Sequence, residues 1–321
     1  MQVLVTGGTG YLGRAIVEAL ARAGHAPTVF ARRAAEARLP GTAVDADIRD
    51  RDAVARAVAA ADAVCHTAAL VSLWRRRARD FDDVNVRGLE HVLEACARRG
   101  IRRIVYTSSF LALPPAGSVV AVEHNDYQRT KVRALKIARQ AAHGGAPLVI
   151  LAPGVIYGPG AETEGNLLGR LVRDHLARRL PGIVGASRIW PYAYVDDVAR
   201  AHVRALEAPD MEGGIELALG GENAPQMRAF EIVRELTGRP LPRRIPYAAA
   251  MAAAMYEEAR ARITGRPPRV TQGAVAIFGH DWPLESAAAR ARLGYTPTPL
   301  RKGIESVLAA GGRRLLEPFL H

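Results

Sequence analysis

Short apolar runs alternate with amphipathic stretches through the first half of the chain. The runs that predict strands are 2–6, 26–31, 63–66, 104–107 and 148–151. The stretches with helical periodicity are 14–23, 52–59, 84–98 and 127–142. Apolar runs without a polar face suit strands that are buried on both sides, as in a parallel sheet covered by helices. The pattern therefore predicts an α/β fold with a doubly wound parallel sheet.

A second region begins after Pro153, where glycine-rich and proline-rich turns separate shorter elements. We predict an α/β domain over residues 1–155, to which 193–220 returns. The remaining segments, 156–192 and 221–321, are predicted to form a smaller C-terminal lobe.

The composition is that of an ordinary globular protein. Of 321 residues, 49% are hydrophobic and 24% are charged, which argues against a disordered or fibrous chain. The formal charge of +12 comes almost entirely from arginine, because the chain has only three lysines. The arginines are spread through helix-like segments, and the densest run, 75–79, contains no aromatic residue. Nucleic-acid binding is therefore not predicted.

No segment has the pattern of a membrane span. No window approaches about 18 consecutive apolar residues. The Ala-rich stretch 247–263 carries glutamates and arginines among its methionines, so we predict a helix packed on the lobe. Cys65 and Cys96 lie in apolar contexts and can form neither a disulfide framework nor a metal cluster. We expect a cytoplasmic protein.

A glycine-rich loop, Gly-Gly-Thr-Gly-Tyr-Leu-Gly over residues 7–13, joins the first predicted strand to the first predicted helix. The lack of a Cβ at Gly7 and Gly10 lets the backbone approach a pyrophosphate, while Gly13 lets the helix lie close to the sheet. The helix N-terminus adds free N–H groups and a partial positive charge for the phosphates. The loop therefore predicts a dinucleotide site in a Rossmann-type fold, with the C-terminal lobe binding the substrate.

The end of the second strand indicates which dinucleotide binds. An acidic residue at this point accepts hydrogen bonds from the ribose 2′-hydroxyl of NAD. This chain has Arg32 and Arg33 there instead. Guanidinium groups form strong charge-assisted hydrogen bonds with phosphate, so NADP(H) is preferred. NAD(H) is the alternative if the two arginines only reflect an arginine-rich chain.

Tyr127 and Lys131 lie four residues apart in a predicted helix, which places both side chains on one face. A phenol with a pKa near 10 is a poor base at neutral pH. A neighbouring ammonium group and an oxidised nicotinamide both favour the phenolate. The pair predicts proton transfer by Tyr127, with Lys131 lowering the pKa of the phenol.

The motifs together resemble the extended short-chain dehydrogenase/reductase family, which includes NAD(P)-dependent epimerases and dehydratases. In chain order they are the glycine loop, Asp47-Ile48, 66–69, Asn85, 107–109, Tyr127 with Lys131, 153–160, 194–198 and 293–297. The resemblance covers nearly the whole chain. It implies an NAD(P)-dependent oxidoreductase.

The resemblance also implies roles for single residues. Tyr127 is the general acid/base, Lys131 binds the nicotinamide ribose, and Asn85 supports a water-linked proton path. Ser109 hydrogen-bonds the substrate carbonyl and is favoured over Ser108, because the family's active hydroxyl usually falls two residues after the position of Thr107. With Arg32 and Arg33, the predicted cofactor-binding residues are Gly7, Thr9, Gly10, Tyr11, Leu12, Gly13, Asp47, Ile48, Thr67, Ala68, Ala69, Lys131, Pro153 and Val155.

The substrate side departs from the sugar-nucleotide members of the family. Those members usually carry an arginine where this chain has Ile189-Trp190-Pro191, and a later basic motif is replaced by 278–282. Aromatic groups in place of guanidinium groups predict an apolar cleft. The expected substrate is a ketone or aldehyde on a fairly apolar molecule, as in the dihydroflavonol reductase and 3β-hydroxysteroid dehydrogenase branch. The candidate substrate contacts are Phe110, Tyr157, Asn166 and Trp190.

Two other functions stay open at this point. One is a nucleotide-sugar epimerase or dehydratase that retains NAD(P) through its cycle, for which Asn166-Leu167-Leu168 is the supporting feature. The other is a protein that binds a dinucleotide without catalysis, against which the intact Tyr127 and Lys131 argue. The resemblance also allows a homodimer formed through 84–98 and 127–142.

Overall fold

The computed structural model describes residues 1–72, 74–161, 163–208 and 214–311. Residues 312–321 of the predicted lobe lie outside this range. The strands are β1 (Gln2–Thr6), β2 (Ala26–Ala31), β3 (Thr42–Asp45), β4 (Ala63–His66), β5 (Ile104–Thr107), β6 (Leu148–Pro153), β7 (Val155–Tyr157), β8 (Ile183–Val184), β9 (Ile189–Tyr194), β10 (Ile215–Leu219), β11 (Glu222–Pro225) and β12 (Arg244–Ile245).

Helices connect these strands and form the C-terminal part. They are α1 (Tyr11–Arg22), α2 (Arg51–Ala59), α3 (Arg79–Phe81), α4 (Gly88–Arg99), α5 (Asp126–His143), α6 (Leu167–Leu176), α7 (Val195–Glu207), α8 (Gln226–Thr237), α9 (Tyr247–Thr264), α10 (Gln272–Phe278), α11 (Ala287–Leu293) and α12 (Leu300–Ala310). In the described part of the chain, no helix combines the length and the apolar character needed to cross a bilayer.

The central sheet has seven parallel strands in the order β10-β6-β5-β4-β1-β2-β3. The strand order reverses between β1 and β4, and ligands of open α/β sheets bind at such a switch point. The predicted Rossmann-type α/β fold is confirmed.

Successive residues of β1 are buried in two different cores. Val3 and Val5 pack in a core that contains residues of α1 and α7, while Leu4 packs in a core formed with α2, α4 and α5. Helices therefore cover both faces of the sheet, which explains why its strands have no polar side. Cys65 and Cys96 are buried in these two cores as free thiols.

The C-terminal part carries two small sheets, β11-β9-β7 and β12-β8. A third core, which includes Trp190, Tyr192 and Trp282, joins the sheet β11-β9-β7 to α8, α10 and α12. The segment between the two parts of this lobe supplies α7, which packs with α1, and β10, which pairs with β6.

The predicted helix over 84–98 does not start as an α-helix. Residues Asp82–Arg87 form a wider π-helical turn that leads into α4. Within this turn the Asn85 side chain accepts a hydrogen bond from the Leu70 backbone N–H at 2.7 Å and donates one to the Thr130 hydroxyl at 3.0 Å. Hydrophobic periodicity cannot distinguish such a turn from an α-helix, because both bury one face.

Candidate active site

A cleft of about 850 Å³ lies at the carboxyl ends of β1, β2, β4 and β5. Among the residues that line it are most of the predicted site residues: Gly7, Thr9, Gly10, Tyr11, Leu12, Gly13, Arg32, Arg33, Asp47, Ile48, Thr67, Ala68, Ala69, Ser109, Phe110, Tyr127, Lys131, Pro153, Val155 and Trp190. Residues that are far apart in the sequence therefore share one cavity at the switch point of the sheet.

The glycine loop is packed too closely for side chains. Gly7 has a φ of 72°, and a Cβ at this position would lie 2.6 Å from the Cα of Ala68. A Cβ at Gly13 would lie 2.2 Å from the carbonyl oxygen of Gly7. Gly10 precedes α1 without a side-chain cap, so the first N–H groups of the helix are left for another acceptor. The loop fits the pyrophosphate of a dinucleotide.

The outer end of the cleft is rich in guanidinium groups. Arg32 and Arg33 follow β2 on the cleft wall, and Arg33 pairs with Glu36 at 3.5 Å on the surface. The carboxylate of Asp47 accepts two hydrogen bonds from the Arg49 guanidinium, at 3.0 and 2.6 Å. The side-chain hydrogen bond from Arg49 lowers the pKa of Asp47, although burial opposes it. The Asp47 carboxylate is thus already paired with a guanidinium group.

Tyr127 lies in the first turn of α5, on the cleft wall. The helix is capped by Asn125, whose side chain accepts a hydrogen bond from the Gln128 N–H at 2.8 Å. Burial raises the pKa of Tyr127 to about 12, and a hydrogen bond with the Ser109 side chain acts in the opposite direction. The structure therefore places Ser109 beside the phenol, while the hydroxyl of Ser108 is buried without a hydrogen bond.

Lys131 points into the same site from the next turn of α5. Its Nζ donates a hydrogen bond to the Thr107 carbonyl at 2.9 Å and lies 5.3 Å from the centre of the Tyr106 ring. Burial lowers the pKa of Lys131 to about 7. Burial therefore favours the neutral amine of Lys131 over the charged ammonium. For Tyr127, burial has the largest effect on the pKa. The expected lowering of the Tyr127 pKa by Lys131 is not what sets that pKa in this structure.

Two buried histidines, which the sequence analysis did not place in the site, hold the strand ends beneath it. Nδ1 of His66 lies 2.7 Å from the hydroxyl of Thr6. His202 of α7 contacts the Thr107 hydroxyl through Nε2 at 2.8 Å and the Val198 carbonyl through Nδ1 at 2.8 Å. A carbonyl only accepts, so Nδ1 of His202 carries the proton and Nε2 accepts from Thr107. Burial lowers the pKa of His66 to about 3 and of His202 to about 4, which keeps both rings neutral.

The inner part of the cleft has an aromatic wall. Trp190 stacks on Phe278 with ring centres 4.8 Å apart, and Phe110 lies 6.1 Å from Trp190. Ile277 and Phe278 of α10 line the cleft and were not among the predicted substrate contacts. Their signal was present in the sequence, because the segment that begins at Phe278 replaces a basic motif. The wall offers flat apolar surfaces to a ligand.

Comparison with known proteins agrees with this geometry. The sequence model of the NAD dependent epimerase/dehydratase family matches residues 3–220 of this chain. The chain belongs to this family. Its members of the extended short-chain dehydrogenase/reductase type are NAD(P)-dependent oxidoreductases and epimerases, so the chain is an enzyme of that type.

The chain is also similar to single proteins of the family. It is 31% identical to sterol demethylase protein B of Methylococcus capsulatus, over 96% of this chain and 98% of that protein. The crystal structure of gox2253 matches with a TM-score of 0.80 and 27% identity, over 97% of this chain and 98% of the other. A UDP-glucuronic acid 4-epimerase from Bacillus cereus, solved with a UDP-sugar analogue and NAD, matches with a TM-score of 0.76 and 18% identity, over 97% and 98%.

Three of the predicted site residues do not line the cleft, namely Asn85, Tyr157 and Asn166. Asn85 is buried and uses its amide to hold the Leu70 backbone and the Thr130 hydroxyl, so it contacts the segment after β4 and the helix that carries Lys131. Asn85 thus reaches the site through its neighbours and not by facing the cleft.

Tyr157 and Asn166 are likewise directed into the protein. Tyr157 is fully buried, and a Cβ at Gly303 would lie 2.2 Å from its hydroxyl oxygen. The side-chain amide of Asn166 donates a hydrogen bond to the Gly158 carbonyl at 3.1 Å. Both residues pack inside the lobe and do not line the cleft, so their contact with a substrate stays a prediction. The sequence cannot show this, because it does not reveal which face of a loop is covered.

Proposed function

We propose that this enzyme is an NADP(H)-dependent oxidoreductase that reduces a ketone or aldehyde of a fairly apolar small molecule, or oxidises the corresponding alcohol. The observation that carries the proposal is that Tyr127, its hydrogen-bond partner Ser109 and Lys131 line the same cleft as the aromatic wall of Trp190 and Phe278. Proton-transfer groups thus face an apolar pocket on a dinucleotide cleft.

The bound dinucleotide supplies the hydride, and the residues of the chain control the proton. Ser109 hydrogen-bonds the carbonyl oxygen of the substrate, and Tyr127 gives that oxygen its proton. Because burial raises the pKa of Tyr127 to about 12, the phenol carries its proton at neutral pH, as reduction requires. In the reverse direction the phenol must first lose that proton, which a positive charge on Lys131 favours.

The preference for NADP(H) rests on charge at the outer end of the cleft. Arg32 and Arg33 stand where an NAD-specific enzyme uses a carboxylate. Asp47 does not supply that carboxylate freely, because Arg49 holds it with two hydrogen bonds. The surplus of guanidinium groups supports a 2′-phosphate at this end.

Apolar walls favour reduction of an alicyclic or aromatic compound over turnover of a sugar nucleotide. Trp190 and Phe278 offer no charge to a diphosphate. Asn166, the residue that supported the epimerase reading, donates its amide to the Gly158 carbonyl. The similarity to a protein named for sterol demethylation supports a bulky apolar substrate as well.

A substrate screen tests the proposal. NADPH consumption is followed by absorbance with cyclic and aryl ketones, and each assay is repeated with NADH. Conversion of UDP-sugars, which needs no net NADPH in an epimerase, is followed in parallel by chromatography of the products. Turnover of apolar ketones with NADPH is expected. Turnover of UDP-sugars, together with NAD(P) found by mass analysis of the denatured protein, contradicts the proposal and favours an epimerase.

A further inference from the structure

Helix α9 exposes an apolar face that nothing in the described part of the chain covers. Of its residues, only Ala250, Ala254 and Ala261 are buried. The exposed fractions of Met255, Tyr256 and Ile263 are 57%, 67% and 86%. With the exposed alanines 248, 249, 252 and 259, these three side chains fall on one side of the helix, opposite the buried side. We call this surface the outer face of α9.

The charges of α9 lie away from the middle of this outer face. Glu257 accepts a hydrogen bond from the Arg269 backbone N–H at 3.0 Å and pairs with Arg260 at 2.7 Å. Glu258 accepts two hydrogen bonds from Gln272, both at 2.8 Å. Both carboxylates are thus half-buried and turned towards the segment that leads into α10. The sequence expectation that α9 packs on the lobe holds for this inner side only.

Exposed arginines lie at both ends of α9. Arg243 and Arg244 precede the helix, and Arg262 and Arg266 lie at its C-terminal end. An apolar helix face with basic residues at its edge is the pattern of a helix that lies in a membrane interface. Apolar side chains enter the boundary of the acyl chains, and guanidinium groups are attracted to anionic headgroups.

We propose that the outer face of α9 docks the enzyme on the surface of an anionic lipid bilayer. A second copy of the chain fits this face less well. In a parallel pairing Arg262 meets Arg262 of the other copy, and in an antiparallel pairing it meets Arg243 or Arg244, so like charges face each other in both cases. An anionic surface neutralises all of these groups, and the net charge of +12 adds long-range attraction.

The docking face lies one helix away from the cleft. Val275 of α10 packs with Ala250 and Ala254 of α9. Ala274 and Ile277, on the same short helix, line the cleft. An enzyme docked through α9 therefore has the aromatic part of its cleft close to the bilayer, which is where an apolar substrate concentrates. The docking itself does not depend on which reaction the cleft performs.

Co-sedimentation with vesicles tests the docking. The full chain is mixed with phosphatidylcholine vesicles that either contain or lack phosphatidylglycerol. We expect the protein to sediment with the anionic vesicles and to be released by salt, because screening weakens the attraction of the arginines. A protein that stays in the supernatant with both vesicles overturns the proposal.

A triple variant, Met255→Ser with Tyr256→Ser and Ile263→Ser, removes the apolar side chains. Its vesicle partitioning should fall about tenfold or more, and Arg262→Glu with Arg266→Glu should reduce it on anionic vesicles. The matched control is Val119→Ser with Val120→Ser, two residues that are 95% and 66% exposed on a loop away from α9 in the sequence. An equal loss in this control, or none in the triple variant, overturns the assignment to α9.

Two further measurements exclude other causes of the same result. Thermal unfolding of the triple variant should match that of the unchanged protein, because exposed substitutions rarely alter stability. Light scattering gives the oligomeric state in the absence of lipid. A dimer that the triple variant converts to a monomer shows that a second copy covers the face, and this outcome overturns docking on lipid.

Discussion

The ammonium group of Lys131 donates a hydrogen bond to the carbonyl of Thr107 at 2.9 Å, and the hydroxyl of the same threonine contacts His202 at 2.8 Å. Thr107 thus connects α7, through the buried histidine, to the lysine of the active site. Tight burial gives this lysine its pKa of about 7, well below the value near 10.4 of a solvated lysine.

The buried Lys131 makes stability depend on pH. Below pH 7 the folded protein must hold a buried charge, and this penalty disappears as the pH rises from about 7 to 10, since only the unfolded chain stays protonated. Lys131→Met removes this penalty, so its effect on the free energy of unfolding should be more stabilising at pH 6 than at pH 10. The difference between the two pH values should be about 2–4 kcal/mol. Urea unfolding without nucleotide measures this. The exposed Lys136→Met on the same helix is the control, and an equal effect of Lys131→Met at both pH values contradicts the prediction.

Tyr127→Phe should abolish proton transfer and preserve the fold. The ring stays in place while the hydroxyl beside Ser109 is lost, so kcat should fall about 10²–10⁴-fold. The Kd for NADPH should stay nearly unchanged, and a fluorescence titration measures it. Tyr256→Phe on the exposed face of α9 serves as the control. An unchanged turnover in Tyr127→Phe rules out the assigned role of the phenol.

Arg32→Ala should weaken NADPH binding about tenfold or more and leave NADH binding nearly unchanged, because only NADPH carries the 2′-phosphate. The comparison is Arg33→Ala, whose guanidinium already pairs with Glu36 at 3.5 Å and should contribute less. Titration with both nucleotides at two salt concentrations gives the result. Equal losses for NADPH and NADH would refute recognition of the phosphate by Arg32.

Phe278→Ala should raise the KM for an apolar ketone about fivefold, since the ring stacks on Trp190 and its loss opens the aromatic wall. Phe278→Leu keeps much of the apolar surface and should have a smaller effect. The affinity for NADPH should not change in either variant. If both variants keep the original KM for every ketone turned over, the substrate does not contact this wall.

Much of the central sheet can be derived from the sequence. The apolar runs 2–6, 26–31, 63–66 and 104–107 coincide with β1, β2, β4 and β5. A strand buried on both faces needs an unbroken apolar run, and few other elements of this length do. The cofactor half of the cleft could also be predicted from the sequence. Its glycine loop and the residues after each strand end have a fixed position relative to the sheet.

The lobe was harder to derive, and the differences between the sequence expectations and the structure have a common physical origin. Tyr157 and Asn166 stand in plausible motifs, yet packing against Gly303 and the Gly158 carbonyl turns them away from the cleft. The lowering of the phenol pKa by Lys131 was expected from charge alone. Burial opposes it, and the degree of burial is set by neighbours from distant parts of the chain.

The sequence by itself determined the parallel sheet, the dinucleotide loop and the position of Tyr127 and Lys131 on one helix face, because each depends on residues that are close along the chain. Only the tertiary structure decided that His202 holds Thr107, that Ile277 and Phe278 of α10 line the cleft, and that the outer face of α9 stays exposed. These features depend on which surfaces meet after folding. Local spacing does not encode the meeting of surfaces, so it could not reveal them.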